Sequence, residues 1–408
     1  MRVKEEVVLT NDSFISGSKH TFKLNDSIYR GYDNAQAPDM RKLMLNLEKL
    51  YEVGLVHTSI APLVSKEFGL ILEHDAIDFV SYREEWTNKM FLDAAIMMID
   101  LQMELVKNEM CLYDGHASNV LYDYTRPIFI DLDSIVPLSS SIAWFDGFYP
   151  QFAKTLAQRS KEDPAHWYEL INTTVGTSQA KTTVGNWQDA FLTFLVELRD
   201  WFSSMSVNEK VTPWSSYTQP TDELTNNKQK VTAQLLSRVY SDDMTLFDVG
   251  ANEGWYSNFA HNVGYRVVAV EIDEQCMTKL YLQAKEANTK ILPLAFDFLH
   301  PWYAHPPYTD AIDRLKCDVC LGLAVVHHMV FSQKSTFPEI ASKFNDFTKK
   351  YAIVEFPPED DIFVHNWITP ETSWYNLGNF IAEMSKYFSK HEIFDSHPLP
   401  RKIVLFEK

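Results

Sequence analysis

The hydrophobic pattern changes character near residue 245. Beyond it, apolar runs at Leu246–Val249, Arg266–Glu271, Ile291–Phe296, Asp318–Ala324 and Tyr351–Glu355 predict buried strands. Helical spacing over Trp255–Val263, Glu274–Ala287 and Pro338–Lys349 predicts helices between them. Such alternation implies an α/β domain built on a parallel sheet, helices on both faces, and a ligand crevice at the carboxyl ends of the strands. The end of the chain breaks the pattern. Glu392–Asp395 and Lys402–Phe406 flank a proline-rich turn with no helix between them, so they read as a hairpin that makes the last strand antiparallel.

Ahead of this region the pattern is less regular. Before about Glu85, short apolar runs such as Phe68–Leu72 alternate with polar turns and predict strands and loops. From Trp86 to Lys107, the residues Met90, Phe91, Ala94, Ala95, Met97, Met98, Leu101 and Leu105 recur at helical spacing and predict a long buried helix, its methionines serving as core filler. Trp187–Phe202 reads as another helix. Ser203–Asn227 turns polar, with Pro213 and Pro220, and reads as a connector; the helix expected over Lys228–Tyr240 is placed to cover a pocket. Trp214 and Tyr217 would either join that lid or pack two domains together. A chain of 408 residues exceeds what one core usually serves. The resulting division is an α+β accessory domain over 1–202, a linker and lid helix over 203–240, and the α/β domain over 241–408.

Charge and cysteine content narrow the setting. A net charge of −18 disfavours generic attraction to nucleic acid or anionic membrane. Cys111, Cys276, Cys317 and Cys320 are too few for a disulfide framework, which suggests a reducing, cytoplasmic location. No targeting pattern and no membrane-spanning run is expected. Composition leaves the oligomeric state open.

The chemistry concentrates in Thr245-Leu-Phe-Asp-Val-Gly-Ala-Asn-Glu-Gly-Trp-Tyr-Ser257 and the acid that closes the next strand, Glu271. A buried strand delivers Asp248 to its carboxyl end, Gly250 and Gly254 shape a tight turn, and a helix starts at once. This is a nucleotide-type pocket. A dinucleotide would need a glycine where Asn252 stands, because its pyrophosphate touches the backbone there. S-adenosylmethionine has no phosphates and tolerates that side chain. Glu271 would accept hydrogen bonds from ribose hydroxyls in either case.

A second cluster lies earlier. Leu112-Tyr-Asp-Gly-His-Ala-Ser-Asn119 and Pro127-Ile-Phe-Ile-Asp-Leu-Asp-Ser134 put Asp114, Asn119 and Asp131 at the polar ends of a helix, loop and hairpin sequence. This order resembles the catalytic loop and metal-binding strand of the protein-kinase-like fold, in which the first Asp is the base and the Asn and last Asp hold magnesium. Leu112 and Tyr113 replace the family's His-Arg, Asp133 replaces a glycine, and no glycine-rich loop precedes them. A degenerate kinase-like domain, kept for packing or for holding an acceptor, is the expectation. In the plain alternative the three polar residues cap turns and end a strand.

Asp248-Val-Gly-Ala-Asn-Glu-Gly254, Glu271, Asp297-Phe298, Leu323-Ala-Val-Val-His-His-Met-Val330 and Ile353–Asp361 together resemble the successive motifs of class I S-adenosylmethionine-dependent methyltransferases. The His-His segment is similar to that of bacterial O-antigen chain-terminating methyltransferase/kinases. Glu73-His74, Ser81-Tyr82, Glu85-Trp86 and the Asp114–Ser134 pattern resemble a bacterial group that includes nodulation-associated methyltransferases with a kinase-like remnant. The resemblance implies a Rossmann-like sheet ending in an antiparallel hairpin, with S-adenosylmethionine as cofactor. Asp248, Gly250 and Gly254 would surround its methionine part, Glu271 its ribose, and Asp297 with Phe298 its adenine; Asn252, Tyr256, Ile272 and Leu323 complete the set. Asp297 could equally be a turn residue ending a strand. The acceptor would be a glycan or other small molecule.

His327 and His328 are expected on the lip after the fourth strand, one pointing inward as base for an acceptor hydroxyl, the other structural. Glu355 would orient a histidine, take the proton or bind a metal, with Glu359, Asp360 and Asp361 as further rim acids or merely solvated ones. Cys317-Asp-Val-Cys320 has metal-site spacing, yet lies on an expected buried strand with no second pair, so packing thiols are expected and no metal site is. Two other readings stand: a phosphotransferase using Asp114, Asn119 and Asp131, and a binding module without catalysis.

Overall fold

A computed structural model describes residues 5–6, 20–24, 27–45, 47–138, 143–160, 163–174, 187–206, 224–302 and 309–408. Trp214 and Tyr217 lie outside them. The chain divides into two compact units with the changeover between residues 208 and 209; residues 84–87 group with the second unit. No described helix is long and apolar enough to cross a membrane.

The described residues of the first unit carry a four-stranded antiparallel sheet ordered Thr21–Leu24, Ser27–Tyr32, Leu70–His74, Thr58–Ile60. The long helix runs Asn88–Lys107. Met90, Met98, Leu101 and Leu105 on it have no exposed surface, which bears out the core reading of its methionines. Helix Trp187–Ser204 turns Phe191, Leu195, Leu198 and Phe202 inward. Beyond the long helix, Val120–Asp123 and Arg126–Phe129 form a hairpin whose register pairs Val120 with Phe129.

The second unit is labelled separately. Its described strands are β1 Thr245–Val249, β2 Arg266–Glu271, β3 Ile291–Ala295, β4 Cys317–Gly322, β5 Thr348–Phe356, β6 Lys390–Asp395 and β7 Lys402–Glu407. Its helices are α1 Asn227–Val239, α2 Trp255–Val263, α3 Glu274–Ala287, α4 Ala311–Leu315, α5 Val326–Phe331, α6 Phe337–Phe347 and α7 Leu377–Met384. The strands form one sheet in the order β3-β2-β1-β4-β5-β7-β6. All neighbours are parallel except β7, which runs antiparallel to β5 and β6, so the terminal hairpin is present. Strand order reverses between β1 and β4, and a crevice opens at such a switch point.

Local chemistry explains the element ends. Asp273 caps α3 by accepting from the amides of Gln275 and Cys276, and Asn288 closes it in the left-handed conformation. A capping box of Asn226 and Gln229 starts α1, which buries Leu235 and Leu236 in the sheet's core cluster. Full burial of a leucine side chain stabilises by ~1.5–3 kcal/mol, which fixes this helix to the sheet. Pro293, which lacks an amide donor, sits on the edge strand β3, where no further partner needs one. Helix α6 ends at Phe347, earlier than its expected end at Lys349, because Thr348 already enters the nine-residue strand β5. Within the same unit Glu85 and Arg314 form a buried two-point ion pair, with Arg314 Nη2 2.5 Å from Glu85 Oε1.

Candidate functional site

Strand β1 runs into a turn with three residues at positive φ: Gly250 at 68°, Asn252 at 50° and Gly254 at 81°. The amides of Gly250 and Ala251 both donate to the Val270 carbonyl, at 2.9 and 3.1 Å, which folds the turn back over β2. A Cβ at Gly250 would stand 2.4 Å from Val325 Cγ1, so only glycine permits this approach to the segment after β4. The turn, at the point where strand order reverses, is the candidate cofactor cradle.

Two acids face this cradle. Glu271 accepts backbone donors from Ile272 at 2.8 Å and from Asp273 and Asn252 at 3.3 Å, which ties the turns after β1 and β2 together. Burial nevertheless holds its carboxyl above the usual range. Asp248 is buried and accepts from Ser257 Oγ at 2.6 Å. Burial, reinforced by the charge of Glu271 and only partly opposed by Ser257, pushes the Asp248 carboxyl up to about 7. A carboxylate so poised is stabilised by an arriving cation. The donor set therefore fits the ammonium and sulfonium charges of S-adenosylmethionine, while Glu271 suits its ribose hydroxyls.

The remaining expected cofactor residues divide. Ile272, 60% exposed, stands open beside Glu271, whereas Tyr256 and Leu323 are buried. Asp297 is held at three points, by the Leu299 amide, His300 Nδ1 and Gln333 Nε2 at 3.0 to 3.1 Å. The turn-residue reading of Asp297 therefore has direct support. The Phe298 ring departs from the expected adenine contact: it packs into a core cluster with Phe247, Phe344 and Phe347, so only its main chain remains for a ligand.

Lys228, which the sequence reading did not select, also belongs here. From the first turn of α1 its Nζ donates to Glu355 Oε2 at 2.7 Å and lies 5.8 Å from the centre of the Tyr256 ring. Its charge reaches both Asp248 and His327. Glu355 is wholly buried; its other oxygen accepts from Ser396 Oγ at 2.5 Å. Glu355 thus holds Lys228, in place of the expected part in orienting a histidine or binding a metal.

Across the crevice, Ala324 adopts a left-handed φ of 59° and the short helix α5 follows, carrying both histidines. The two rings lie 4.0 Å apart, and Trp367 approaches them at 5.8 and 5.7 Å, nearly parallel to His327. The expectation that one histidine points inward and the other away is corrected: the helical turn brings both rings under one indole. Both are shifted down from the ordinary imidazole value. Burial, then the charges of His328 and Arg401, pushes His327 down to about 2, and burial with Arg401 also lowers His328. His327 Nδ1 is buried without a partner, while His328 is half-buried. Asp361 is no solvated acid. It is buried and held by Arg401 at 2.7 and 3.2 Å. Glu359 and Asp360 are exposed.

In the first unit Asp114 accepts the His116 amide at 2.9 Å, as in a turn, and Asn119 Nδ2 is buried without a partner. Arg30 reaches Asp131 at 3.0 Å and Asp133 at 3.4 Å. Tyr32 and His74 feel the same charges; burial and Arg30 push His74 down to about 4. Among the described residues no group of three or more His, Cys, Asp or Glu is arranged to hold a metal. All four cysteines are buried, and burial pushes the Cys317 thiol up to about 12, which suits packing.

No protein-family model matches the chain. Solved structures overlap part of it. The bifunctional kinase-methyltransferase WbdD aligns at 18% identity over 43% of this chain and 37% of its own, with a TM-score of 0.33. Magnesium protoporphyrin IX methyltransferase (ChlM) from Synechocystis PCC 6803, solved with bound SAH, aligns at 13% identity over 46% of this chain and 90% of its own, with a TM-score of 0.34. At the level of sequence the chain is similar, at 24% identity over 97% of its length and 95% of the relative's, to the nodulation protein NoeA of Rhizobium meliloti (strain 1021).

Proposed function

We propose that the second unit is an S-adenosylmethionine-dependent methyltransferase that methylates a hydroxyl of a carbohydrate or polar natural product. The observation that carries this reading is the turn at the β1/β4 switch point, where Gly250 lies between Glu271 and Val325, the residue just before the helix that carries the histidine pair, with Asp248 buried at the end of β1. Bound there, the cofactor supplies an activated methyl group. Asp248 would offset its positive charge, Glu271 would accept hydrogen bonds from its ribose hydroxyls, Ile272 would serve the adenosine, and the main chain at Asp297–Phe298 would serve the adenine. His328, neutral and partly open, accepts the proton of the acceptor hydroxyl; His327 and Trp367 shape the wall behind it. Because a histidine lowered by burial is a weak base, alignment of the reactants contributes most of the acceleration.

The first unit is read as a kinase-like remnant. Against phosphotransfer weighs Arg30, whose guanidinium already compensates Asp131 and Asp133 where magnesium would be needed. A catalytically inert binding module remains the alternative that methyl-transfer assays would expose.

Calorimetry with S-adenosylhomocysteine tests the reading. Wild type should bind, and Glu271→Ala should weaken binding by about 10–100-fold, the worth of hydrogen bonds to a charged group. No binding by wild type, or full affinity in the variant, would overturn it.

A further inference from the structure

We infer that Lys228 holds the carboxylate of the donor's amino-acid part, so that helix α1 supplies a specificity-determining residue of the cofactor site. The inference rests on the methyltransferase reading. An amino-acid zwitterion needs an acid for its ammonium and a cation for its carboxylate. The cradle provides the acid in Asp248. Among the described residues, Lys279, Arg401 and Lys228 are cations of this unit whose ion pairs can be compared. Lys279 is bound to Glu253 at 2.7 Å, with its side chain 40% exposed on α3. Arg401 is held by Asp361 at two points in a buried pair. Among the described residues Lys228 makes one hydrogen bond, to Glu355, and its ammonium has three donors in all.

Its setting favours that task. Tyr256, the second residue of the helix that follows the glycine turn, lies under the Lys228 ammonium. Glu355 and Ser396 pin the pair from below, and the Lys228 side chain is only 16% exposed. The ammonium is thereby pre-positioned, which reduces the ordering cost of binding. The Lys228–Glu355 pair also explains why a carboxylate is tolerated, fully buried, at the end of β5.

Titration of the full chain with S-adenosylmethionine and with decarboxylated S-adenosylmethionine, which lacks only the carboxylate, isolates the contact. Wild type should favour the carboxylated ligand by about tenfold or more. Lys228→Met should lose that preference while keeping its affinity for the decarboxylated ligand, and Lys228→Arg should recover part of it. Since Lys228→Met strands the buried Glu355 carboxylate, Lys228→Met/Glu355→Leu is the companion variant, expected to fold and to show the same loss of preference. A preference that survives in either Met variant, or equal weakening toward both ligands, would refute the role of Lys228. Failure of wild type to bind either ligand would instead remove the methyltransferase reading on which the inference stands.

Discussion

Asp248 illustrates how a single residue can trade stability for binding. Its carboxyl, near 3.9 in an unfolded chain, is pushed up to about 7 by burial, so the folded state retains a proton that the unfolded state releases. The sign follows from that retention: Asp248 weighs against folding as pH rises from about 4 to 7, and the deficit is complete above that window. Asp248→Asn should therefore melt higher than wild type at pH 8, by ~2–4 °C per kcal/mol recovered, with the difference vanishing toward pH 4. The same variant should bind S-adenosylmethionine more weakly. In wild type, cofactor affinity should rise between pH 6 and 8, because the cation selects the ionised carboxylate. Melting curves across pH and calorimetry in two buffers check both halves; a wild-type affinity flat in pH would contradict the assignment.

Among elements, the turn after β1 carries the tightest constraint. Gly250 combines a φ of 68° with a Cβ position 2.4 Å from Val325 Cγ1. Gly250→Ala should cost ~1–2 kcal/mol for the left-handed backbone alone, and more for the clash. Trimming the neighbour in Gly250→Ala/Val325→Ala should restore the packing part but not the backbone part. Thermal melts with and without S-adenosylhomocysteine measure this, and an unchanged single variant would show that the turn is looser than described. Elements are also where the sequence was most readable. Trp255–Val263, Arg266–Glu271 and Glu274–Ala287 have the boundaries expected for them, since glycines and the Asp273 cap mark them locally. Helix α5 was not legible. Six residues leave too short a period to recognise, and Val325, which precedes its first residue, offers no side-chain cap.

On the scale of the whole molecule, the two units differ in how their acids are answered. In the first, Arg30 compensates Asp131 and Asp133 by direct ion pairs; in the second, Asp248 is hydrogen-bonded by Ser257 and feels Lys228 only through its charge, Lys228 itself being paired with Glu355. Arg30→Met should accordingly destabilise the first unit by ~1 kcal/mol, a modest figure because both carboxylates are partly exposed, and Arg30→Met/Asp131→Asn should recover part of the loss. Thermal melts of these variants in the presence of Mg·ATP should show no stabilisation of wild type that depends on Asp131; such a dependence would revive phosphotransfer.

The sequence by itself determined the sheet-forming strands, the glycine turn, the acids Asp248 and Glu271 and the terminal hairpin. Each is written in neighbouring residues through periodicity, glycine and capping. Only tertiary structure decided the partners. Lys228 meets Glu355 across 127 positions, Arg30 meets Asp131 across 101, and Arg401 meets Asp361 across 40. It also decided that Trp367 covers both histidines and that the Phe298 ring turns into the core. A charge along the chain shows its sign but not its counter-ion, and burial, which sets the protonation of Asp248 and His327, exists only once distant elements have closed around them.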